Sequence, residues 1–358
     1  MGNGFGKVYR VTTFGESHGG GVGGVVEGCP PGLRLDMEEV CREMGRRRPG
    51  QSSITTGRVE RDEVEFLSGL YGGVTTGTPI GFVTRNTDAH SEDYVEIGKS
   101  YRPSHGDYTY EKKYGIRDPR GGGRASARET LARCVGGAIA KQVLLGAGIT
   151  FRAYTTQVGS IGLSHPYGSY DLEESEKNAV RCPDASVARE MEALIREVQL
   201  EGDSVGGIIT CVIKGVGAGL GEPVFDKLQA LLAHAMLSIP AAKGFEYGDG
   251  FEAPLYRGSL HNDAFRMREG KISPVTNFSG GIQGGISNGE DIYFRVAFKA
   301  PPTILRAQES VSVSGEAVVL NPKGRHDACV VPRAVSVVEA MSAITILDLH
   351  LRNSADVH

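Results

Sequence analysis

The chain has 358 residues and a formal net charge of −4, with 39 lysines and arginines against 43 aspartates and glutamates. This length is ample for a large buried core without disulfide or metal staples, and the acidic balance argues against bulk nucleic-acid binding as the main activity. Glycine is the outlier, since 51 glycines are about twice the usual share. The glycines occur in short, separate motifs and not in a regular repeat, which excludes a collagen-like or low-complexity chain.

The six cysteines are scattered, with no CxxC pair and no Cys-His ligand spacing. This pattern favours reduced thiols over a disulfide framework or a zinc site, and we predict no metal. The N-terminal segment lacks the apolar stretch of a signal peptide, and no run of 18 apolar residues occurs. We therefore expect a cytoplasmic protein that does not span a membrane.

The first third of the chain predicts four strands and one helix. Glycine-bounded runs rich in Val, Ile, Thr and aromatic residues predict strands at 8–14, 22–27, 64–67 and 80–84. Asp36 is placed to cap the helix among them, whose apolar residues recur at i, i+3, i+4 and i+7 from Met37. Arg46, Arg47 and Arg48 end this helix. Arginines cap helix C-termini in any protein, so the pattern alone leaves capping and ligand contact equally open.

A second helix is predicted to start at Ser126, just after an Arg-Gly-Gly-Gly-Arg word at 120–124. Ser126 and Glu129 form a capping box, and two glycines end the helix. Arg120, Arg124 and Arg128 crowd its start, where cations oppose the helix dipole unless an anion binds there. Three arginines at one glycine-rich helix start therefore predict an anion site.

The remaining chain predicts strands at 149–158, 207–214 and 291–299. Asp184 precedes a helix with an apolar stripe from Val187 to Val198, and apolar residues around Met341 mark another helix near the C-terminus. Helices and strands mix without a βαβ period, and no Pro- or Ser-rich linker occurs. We predict an α+β fold in one large domain covering residues 1–358.

Three of the nine histidines stand in glycine- and arginine-rich words: His18 in GESHG, His105 in RPSHGDYTY and His326 in KGRHDAC. Histidine is a natural proton donor near neutral pH, for example to a leaving phosphate, although a lone histidine is more often structural. Residues 19–24 match GxGxxG, but they follow no βαβ strand and a Pro-Pro pair soon forbids the expected helix. We predict no dinucleotide-binding fingerprint there.

Eight ordered words run through the chain: FGESHG at 14–19, GCPPG at 28–32, RRRPGQS at 46–52, RPSHGDYTYEKKYGIRDPRGGGRASARET at 102–130, GLGEPVFDKL at 219–228, GDGFE at 248–252, GGIQGGISNG at 280–289 and GRHDAC at 324–329. Together they resemble the chorismate synthase family along essentially the whole length. The resemblance implies a β-α-β sandwich subunit in a homotetramer. It also implies a carbon–oxygen lyase of aromatic amino acid biosynthesis, the shikimate pathway. Such an enzyme uses reduced FMN, with NADPH as a candidate reductant, to eliminate phosphate and a ring proton from 5-enolpyruvylshikimate 3-phosphate and give chorismate.

The resemblance implies roles for individual residues. His18 resembles the acid for the departing phosphate, His105 the group that protonates the reduced flavin, and Asp327 with Ser17 the pair that helps the flavin take the ring proton. Substrate anions would meet Arg48, Arg58, Arg102, Arg128 and Arg325. The flavin would lie against Arg124, Ala125, Ser126, Pro240, Ala241, Gly284, Lys299, Ala300, Pro301, Pro302, Thr303 and Arg325. Arg47 resembles a position tied to the pyridine-nucleotide reductant.

Some positions depart from the common family pattern. Ser53 stands where many members carry a further arginine, and Ala328 replaces a usual proline. Ala125 replaces a usual serine and Pro240 a usual asparagine, so those two flavin contacts would be made by backbone or packing. None of these departures removes a predicted acid, base or arginine.

Two other functions stay open from the sequence. A flavin oxidoreductase would use the same pocket for hydride transfer and would consume NADPH with each product. The RGGGR word also suggests an RGG-type RNA-binding protein, but it occurs once, in an acidic chain, without an aromatic stacking motif. We therefore predict a small-molecule substrate, with neither a nucleic acid nor a membrane as partner.

Overall fold

The secondary structure comes from a computed structural model that describes residues 2–52, 54–55, 60–87, 97–268, 270–322 and 327–356. The helices are α1 (Met37–Arg47), α2 (Asp107–Tyr114), α3 (Thr130–Leu145), α4 (Ala185–Leu200), α5 (Leu228–Leu237), α6 (Gly258–His261) and α7 (Val331–Asp356). The strands of the first half are β1 (Gly4–Phe5), β2 (Arg10–Gly15), β3 (Gly21–Glu27), β4 (Glu65–Phe66), β5 (Leu70–Tyr71), β6 (Val74–Thr75), β7 (Ile80–Arg85), β8 (Thr150–Val158) and β9 (Ile161–Gly162). Those of the second half are β10 (Gly207–Lys214), β11 (Ala242–Tyr247), β12 (Phe265–Arg268), β13 (Lys271–Pro274), β14 (Ile282–Gln283), β15 (Ile286–Ser287), β16 (Ile292–Phe298), β17 (Gln308–Val311) and β18 (Ala317–Leu320).

Two five-stranded sheets enclose a layer of helices. The first sheet has the order β1-β2-β3-β7-β4 and the second the order β11-β16-β10-β8-β9, and the described pairings in both are antiparallel. Helices α3 and α7 pack on each other; α3 also packs on β2 and β3, while α7 packs on β8 and β10. The result is a β-α-β sandwich of α+β class, which confirms the predicted fold.

The long strands form where glycine-bounded β-branched runs predicted them. Strand β10 has the predicted bounds, and in β16 every second residue from Ile292 to Phe298 is buried, as expected for a sheet with one face on helices. The run at 8–14 pairs only from Arg10 onward. The backbone N–H groups of the two residues before β2, Val8 and Tyr9, and that of Lys7 point to α7 instead. They donate to Oδ1 of Asp348 at 2.6, 3.1 and 2.9 Å, respectively.

Helix α1 begins as predicted, but only Val40 and Met44 of its predicted apolar face are buried. Asp36 accepts hydrogen bonds from the backbone N–H groups of Glu38 and Glu39. Met37 and Cys41 of the predicted apolar face are exposed, whereas Glu43 and Arg46 are buried. Arg46 donates to Glu43 and to Glu339 of α7, and Lys141 of α3 donates to Glu43. Paired charges can occupy the helical layer, and Arg46 serves there as a buried ion-pair partner, a role that neither of the two alternatives left open by the sequence had named.

Helix α7 forms the centre of the molecule. Its segment Val331–Ser354 is long and apolar enough, by length and composition, to cross a membrane. Within the apolar 18-residue window that meets this criterion, however, 89% is buried inside the protein. A helix that is apolar on all sides is expected in such a core position. The first turn of α7 contributes to the wall of the cavity described next.

Candidate active site

A cavity of about 400 Å³ lies where the loop after residue 101, the turn leading into α3, two loop segments of the second half and the start of α7 meet. Its charged and titratable lining residues are Arg47, Arg102, His105, Arg128, Lys299, Asp327 and Arg333. Its apolar wall is supplied by Ala125, Ile239, Pro240, Ala241, Pro301, Pro302, Val330, Ala334 and Val337. Such a mixture of convergent charges and an apolar wall is typical of a small-molecule site.

Arg128 lines the cavity and carries one side-chain nitrogen without a hydrogen-bond partner in the described part of the chain. Its side chain is buried at 3% exposure, where Nη1 donates to Asp62 Oδ1 at 2.5 Å and Nε donates to Asn86 Oδ1 at 2.9 Å. Nη2 has no hydrogen-bond partner among the described residues, and Glu60 Oε2 is 3.8 Å away. A buried N–H left unpaired costs about 1–3 kcal/mol, so this atom is placed to be satisfied by a bound anion.

Arg47 is built into the same wall. Its Nε donates to Thr130 Oγ1 at 3.2 Å, Nη2 donates to the Ala127 carbonyl at 2.8 Å, and Nη1 contacts Asp62 Oδ2 at 3.3 Å. Burial, and after it repulsion from Arg333, lowers the pKa of Arg47 to about 10. The guanidinium therefore remains charged near neutral pH. Of the two alternatives that the sequence left open for Arg47, its place in the cavity wall favours ligand contact over simple helix capping.

Two consecutive glycines hold the predicted acids against one loop. At Gly121, φ is +65°, and an added Cβ would lie 2.2 Å from Cδ2 of His18 and 2.8 Å from Oγ of Ser17. At Gly122, φ is +105°, and an added Cβ would lie 2.9 Å from Cε1 of His105. Only glycine allows this close approach of two imidazoles to adjacent backbone atoms.

The two histidines differ in their relation to the cavity. His105 lines it directly, whereas His18 and Ser17 pack against Gly121, which does line it. The Ser17 hydroxyl is buried at 2% exposure and lacks a hydrogen-bond partner among the described residues. These three predicted catalytic residues therefore come together around the Gly121-Gly122 turn.

Asp327 lines the cavity together with Arg333, a residue the sequence analysis missed. Arg333 Nη1 forms an ion pair with Asp327 Oδ2, and its Nε donates to the Arg47 carbonyl at 3.2 Å. Arg333 stands in the first turn of α7, so the dipole argument applied to Arg128 could have found it. Arg325, expected from the resemblance to contact substrate and flavin, lies outside the described residues, as do Arg58 and His326.

Asp107 and Asp62 were also missed. Asp107 is buried and binds both Arg102 and His105, and Asp62 binds both Arg47 and Arg128. Asp107 could have been singled out because it follows His105 by two residues. Asp62 carries no comparable signal, since its partners lie 15 and 66 residues away in the chain.

The predicted flavin contacts divide into two groups. Ala125, Ser126, Pro240, Ala241, Lys299, Pro301, Pro302 and Thr303 line the cavity. Lys299 Nζ donates to the Ser104 carbonyl at 3.0 Å, and burial, followed by repulsion from Lys243, lowers its pKa. Gly284 lies in the β14–β15 turn and, like Ala300, is absent from the cavity lining.

The predicted three-arginine anion site was wrong in its extent. Arg128 faces the cavity, but Arg124 donates to Thr13 Oγ1 at 2.7 Å and to the Gly15 carbonyl at 3.2 Å. Arg120 pairs with Asp118 in an exposed position. Arg48 is likewise exposed and does not line the cavity.

Only one of the two hydrogen bonds of the predicted capping box is formed. Ser126 accepts from the Arg128 N–H at 3.3 Å, at the start of the 3₁₀ turn Ala127–Glu129 that leads into α3. Glu129 does not reach back to Ser126; it accepts hydrogen bonds from Thr13 and Arg133 instead.

The fold and the cavity are those of an α+β enzyme that acts on a small-molecule substrate. The family model described as chorismate synthase matches residues 9–351. The chain is 62% identical to a chorismate synthase of Parabacteroides distasonis, over 97% of both chains, and 58% identical to one of Christiangramia forsetii, over 99% of both. A crystal structure of a chorismate synthase superposes with a TM-score of 0.77 at 32% identity, covering 97% of this chain and 93% of the other.

The chain therefore belongs to the chorismate synthase family. It is a carbon–oxygen lyase of the shikimate pathway, in aromatic amino acid biosynthesis.

Proposed function

We propose that the cavity binds reduced FMN and 5-enolpyruvylshikimate 3-phosphate together and eliminates phosphate and a ring proton to give chorismate. The unpartnered Nη2 of buried Arg128, in a cavity shared with Arg47, Arg102 and Arg333, carries this proposal. The substrate bears two carboxylates and a phosphate of about −1.5 to −2 charge. Arginine is well suited to such anions, because the N–H donors of its planar guanidinium group match the spacing of two carboxylate or phosphate oxygens.

The remaining wall of the cavity fits a flat aromatic cofactor. Pro240, Ala241, Pro301 and Pro302 present apolar surface with few polar atoms, and Lys299 adds a cation at their edge. Loss of the usual serine at Ala125 leaves a methyl group there, which suits packing against a ring. When bound, reduced FMN would supply electron density to the substrate as phosphate departs and would be regenerated at the end of each turnover, so no net redox change results.

The chain's own residues would handle the protons and charges. His18, held against Gly121, would hold a proton for the departing phosphate, and His105 would hold another at the cavity wall. Asp327, fixed by Arg333, would accept or pass a proton through its carboxylate. Arg102 and Arg128 would bind the substrate anions and exclude water from them.

We further propose a cytoplasmic homotetramer of single-domain subunits, with NADPH as a candidate source of reducing equivalents. Large exposed apolar side chains are the candidates for subunit contacts, because apolar surface that forms a contiguous patch marks an interaction site. They include Phe225 at 90%, Phe251 at 81%, Leu255 at 76% and Ile272 at 70% exposure.

The proposal is tested by anaerobic turnover with chemically reduced FMN and 5-enolpyruvylshikimate 3-phosphate. Phosphate and chorismate should appear in equal amounts while the flavin remains reduced. If two electrons of the reduced flavin were consumed for each product formed, the protein would instead be a flavin oxidoreductase. Release of no phosphate would refute the proposed reaction.

A further inference from the structure

The carboxylate of Asp107 is the most heavily bonded group beside the predicted acid His105. Asp107 is the first residue of α2 and is buried at 5% exposure. Its Oδ2 accepts from Nε and from the backbone N–H of Arg102 at 2.8 and 3.1 Å. Its Oδ1 accepts from Arg102 Nη2 at 2.7 Å and lies 3.0 Å from His105 Nδ1.

The charges around Asp107 keep its carboxylate ionised. Arg117 Nη1 lies 3.5 Å from Oδ1, so two guanidinium groups flank the same carboxylate. Burial by itself would raise the pKa of Asp107, but the hydrogen bonds from Arg102 and His105 outweigh burial and hold that pKa well below its usual range. An ionised carboxylate can accept hydrogens but cannot donate one.

Two arrangements of the His105 hydrogens compete. Nδ1 lies 3.0 Å from Asp107 Oδ1 and 3.1 Å from Arg102 Nη2. If Nδ1 carried a lone pair toward Arg102, that lone pair would also face the negative Oδ1. If Nδ1 carries a hydrogen, Oδ1 accepts from both neighbours, as the two lone pairs of a carboxylate oxygen permit. Only the second arrangement leaves no lone pair of His105 facing the negative carboxylate oxygen.

The other ring edge of His105 meets the Gly122 turn. A Cβ at Gly122 would lie 2.9 Å from Cε1 and 3.2 Å from Nε2 of His105. Since the ring lines the cavity, Nε2 is the nitrogen left to exchange a proton there. The ring is thus held at Nδ1 by a carboxylate and packed at the opposite edge against backbone.

We propose that Asp107 is a positioning residue for His105: its carboxylate accepts the Nδ1 hydrogen, so that the proton transferred into the cavity is carried on Nε2. Transfer breaks the Nε2–H bond of the imidazolium and leaves a neutral imidazole that keeps its hydrogen on Nδ1. The proton goes to an anionic base of the bound ligands, and Asp107 stays ionised throughout. This inference rests on the proposed function for the role of His105.

Replacement of Asp107 by asparagine should reverse the hydrogen arrangement. The amide has one acceptor oxygen, which Arg102 would take through Nε, so the amide NH₂ would face Nδ1 and favour the tautomer protonated on Nε2. The same exchange in a serine protease triad leaves the geometry intact and lowers kcat about 10⁴-fold. For Asp107→Asn we expect kcat to fall by about 10²-fold or more, with a smaller change in the KM for substrate, since Arg102 loses one of its contacts to residue 107.

The decisive readout is independent of turnover. Magic-angle-spinning NMR of the nitrogen-15 histidine-labelled full-length protein, with the His105 signals assigned by their loss in His105→Gln, reports which ring nitrogen is protonated. We expect neutral His105 to carry its hydrogen on Nδ1 in the unaltered protein and in Asp107→Glu, and on Nε2 in Asp107→Asn. Asp107→Glu should also recover part of the lost kcat.

Glu111→Gln is the matched control. Glu111 lies on the same helix and accepts from Arg117 Nε at 3.1 Å and from the Tyr101 hydroxyl at 2.8 Å, without touching His105. It should leave the tautomer and kcat unchanged.

An Nε2-protonated His105 in the unaltered protein would overturn the proposal, and the spectrum of the unaltered protein gives this answer even if Asp107→Asn fails to fold. An Asp107→Asn protein with raised KM, normal kcat and unchanged tautomer would also overturn it, leaving Asp107 to order Arg102 alone. If the unaltered protein formed no chorismate, the proposed function would fail while the NMR result still decided this inference.

Discussion

Substitution of Gly121 by alanine should separate the catalytic geometry from the stability of the fold. The new Cβ would lie 2.2 Å from His18 Cδ2, whereas ordinary carbon–carbon contact needs about 3.5 Å, so the imidazole must move by about 1 Å. A misplacement of about 1 Å can cost about 10²-fold in rate. The φ of +65° adds a backbone cost of about 1–2 kcal/mol for an L-residue.

Gly115→Ala is the control for that backbone cost. Gly115 has a φ of +74° at the end of α2, with nothing within 4 Å of an added Cβ. In denaturant titrations Gly115→Ala should lose about 1–2 kcal/mol of unfolding free energy, and Gly121→Ala should lose that amount and in addition the cost of the contact with His18. Single-turnover phosphate release with pre-reduced FMN should fall about 10²-fold in Gly121→Ala and less than threefold in Gly115→Ala. Equal rates in the two variants would refute the placement of His18 and Ser17 against this glycine.

Three further predictions follow from the same site and core. His18→Ala and His105→Ala should fold normally and each lose about 10²–10⁴-fold in single-turnover elimination; a near-normal rate in either would remove its role as an acid. Asp327→Asn should keep flavin and substrate dissociation constants within a few-fold, while elimination slows by about 10²-fold in rapid-mixing spectra; weakened binding with a normal saturated rate would make its pairing with Arg333 purely structural. In native protein a thiol reagent at pH 8 should label exposed Cys41 alone, checked by peptide mass, because the other five cysteines are buried and burial raises the pKa of Cys134, Cys211 and Cys329 to about 12.

Local sequence patterns predicted the architecture well because they report burial. Strand β10 and the Asp184-capped helix α4 formed as predicted from periodicity and capping. The buried face of α1 was predicted only in part, at Val40 and Met44, because a hydrophobic pattern takes no account of paired charges. Glu43 and Arg46 enter the helical layer only because α3 and α7 bring opposite charges to meet them.

The candidate site was predicted in its residue types but not in its pairings. Arg120 and Arg124 carry the same sequence signal as Arg128. Arg120 instead forms an ion pair with Asp118, two residues away. Arg124 donates to the Gly15 carbonyl of β2, which lies near Arg124 only in the folded protein. Asp62 and Arg333 were missed for the same reason, since their importance lies in contacts with chain segments far away in sequence.

The most direct test of the cavity as the site of elimination compares two arginines of the same sequence word. Arg128 is buried, lines the cavity and has an Nη2 that is unpartnered within the described ranges, whereas Arg120 is exposed and paired with Asp118. We would measure phosphate release in a single anaerobic turnover with pre-reduced FMN, over a range of substrate concentrations, for Arg128→Met and Arg120→Met. We expect substrate affinity to fall about 10²-fold or more in Arg128→Met and to stay within threefold in Arg120→Met. Unchanged affinity in Arg128→Met, or an equal loss in both variants, would contradict the assignment of the reaction to this cavity.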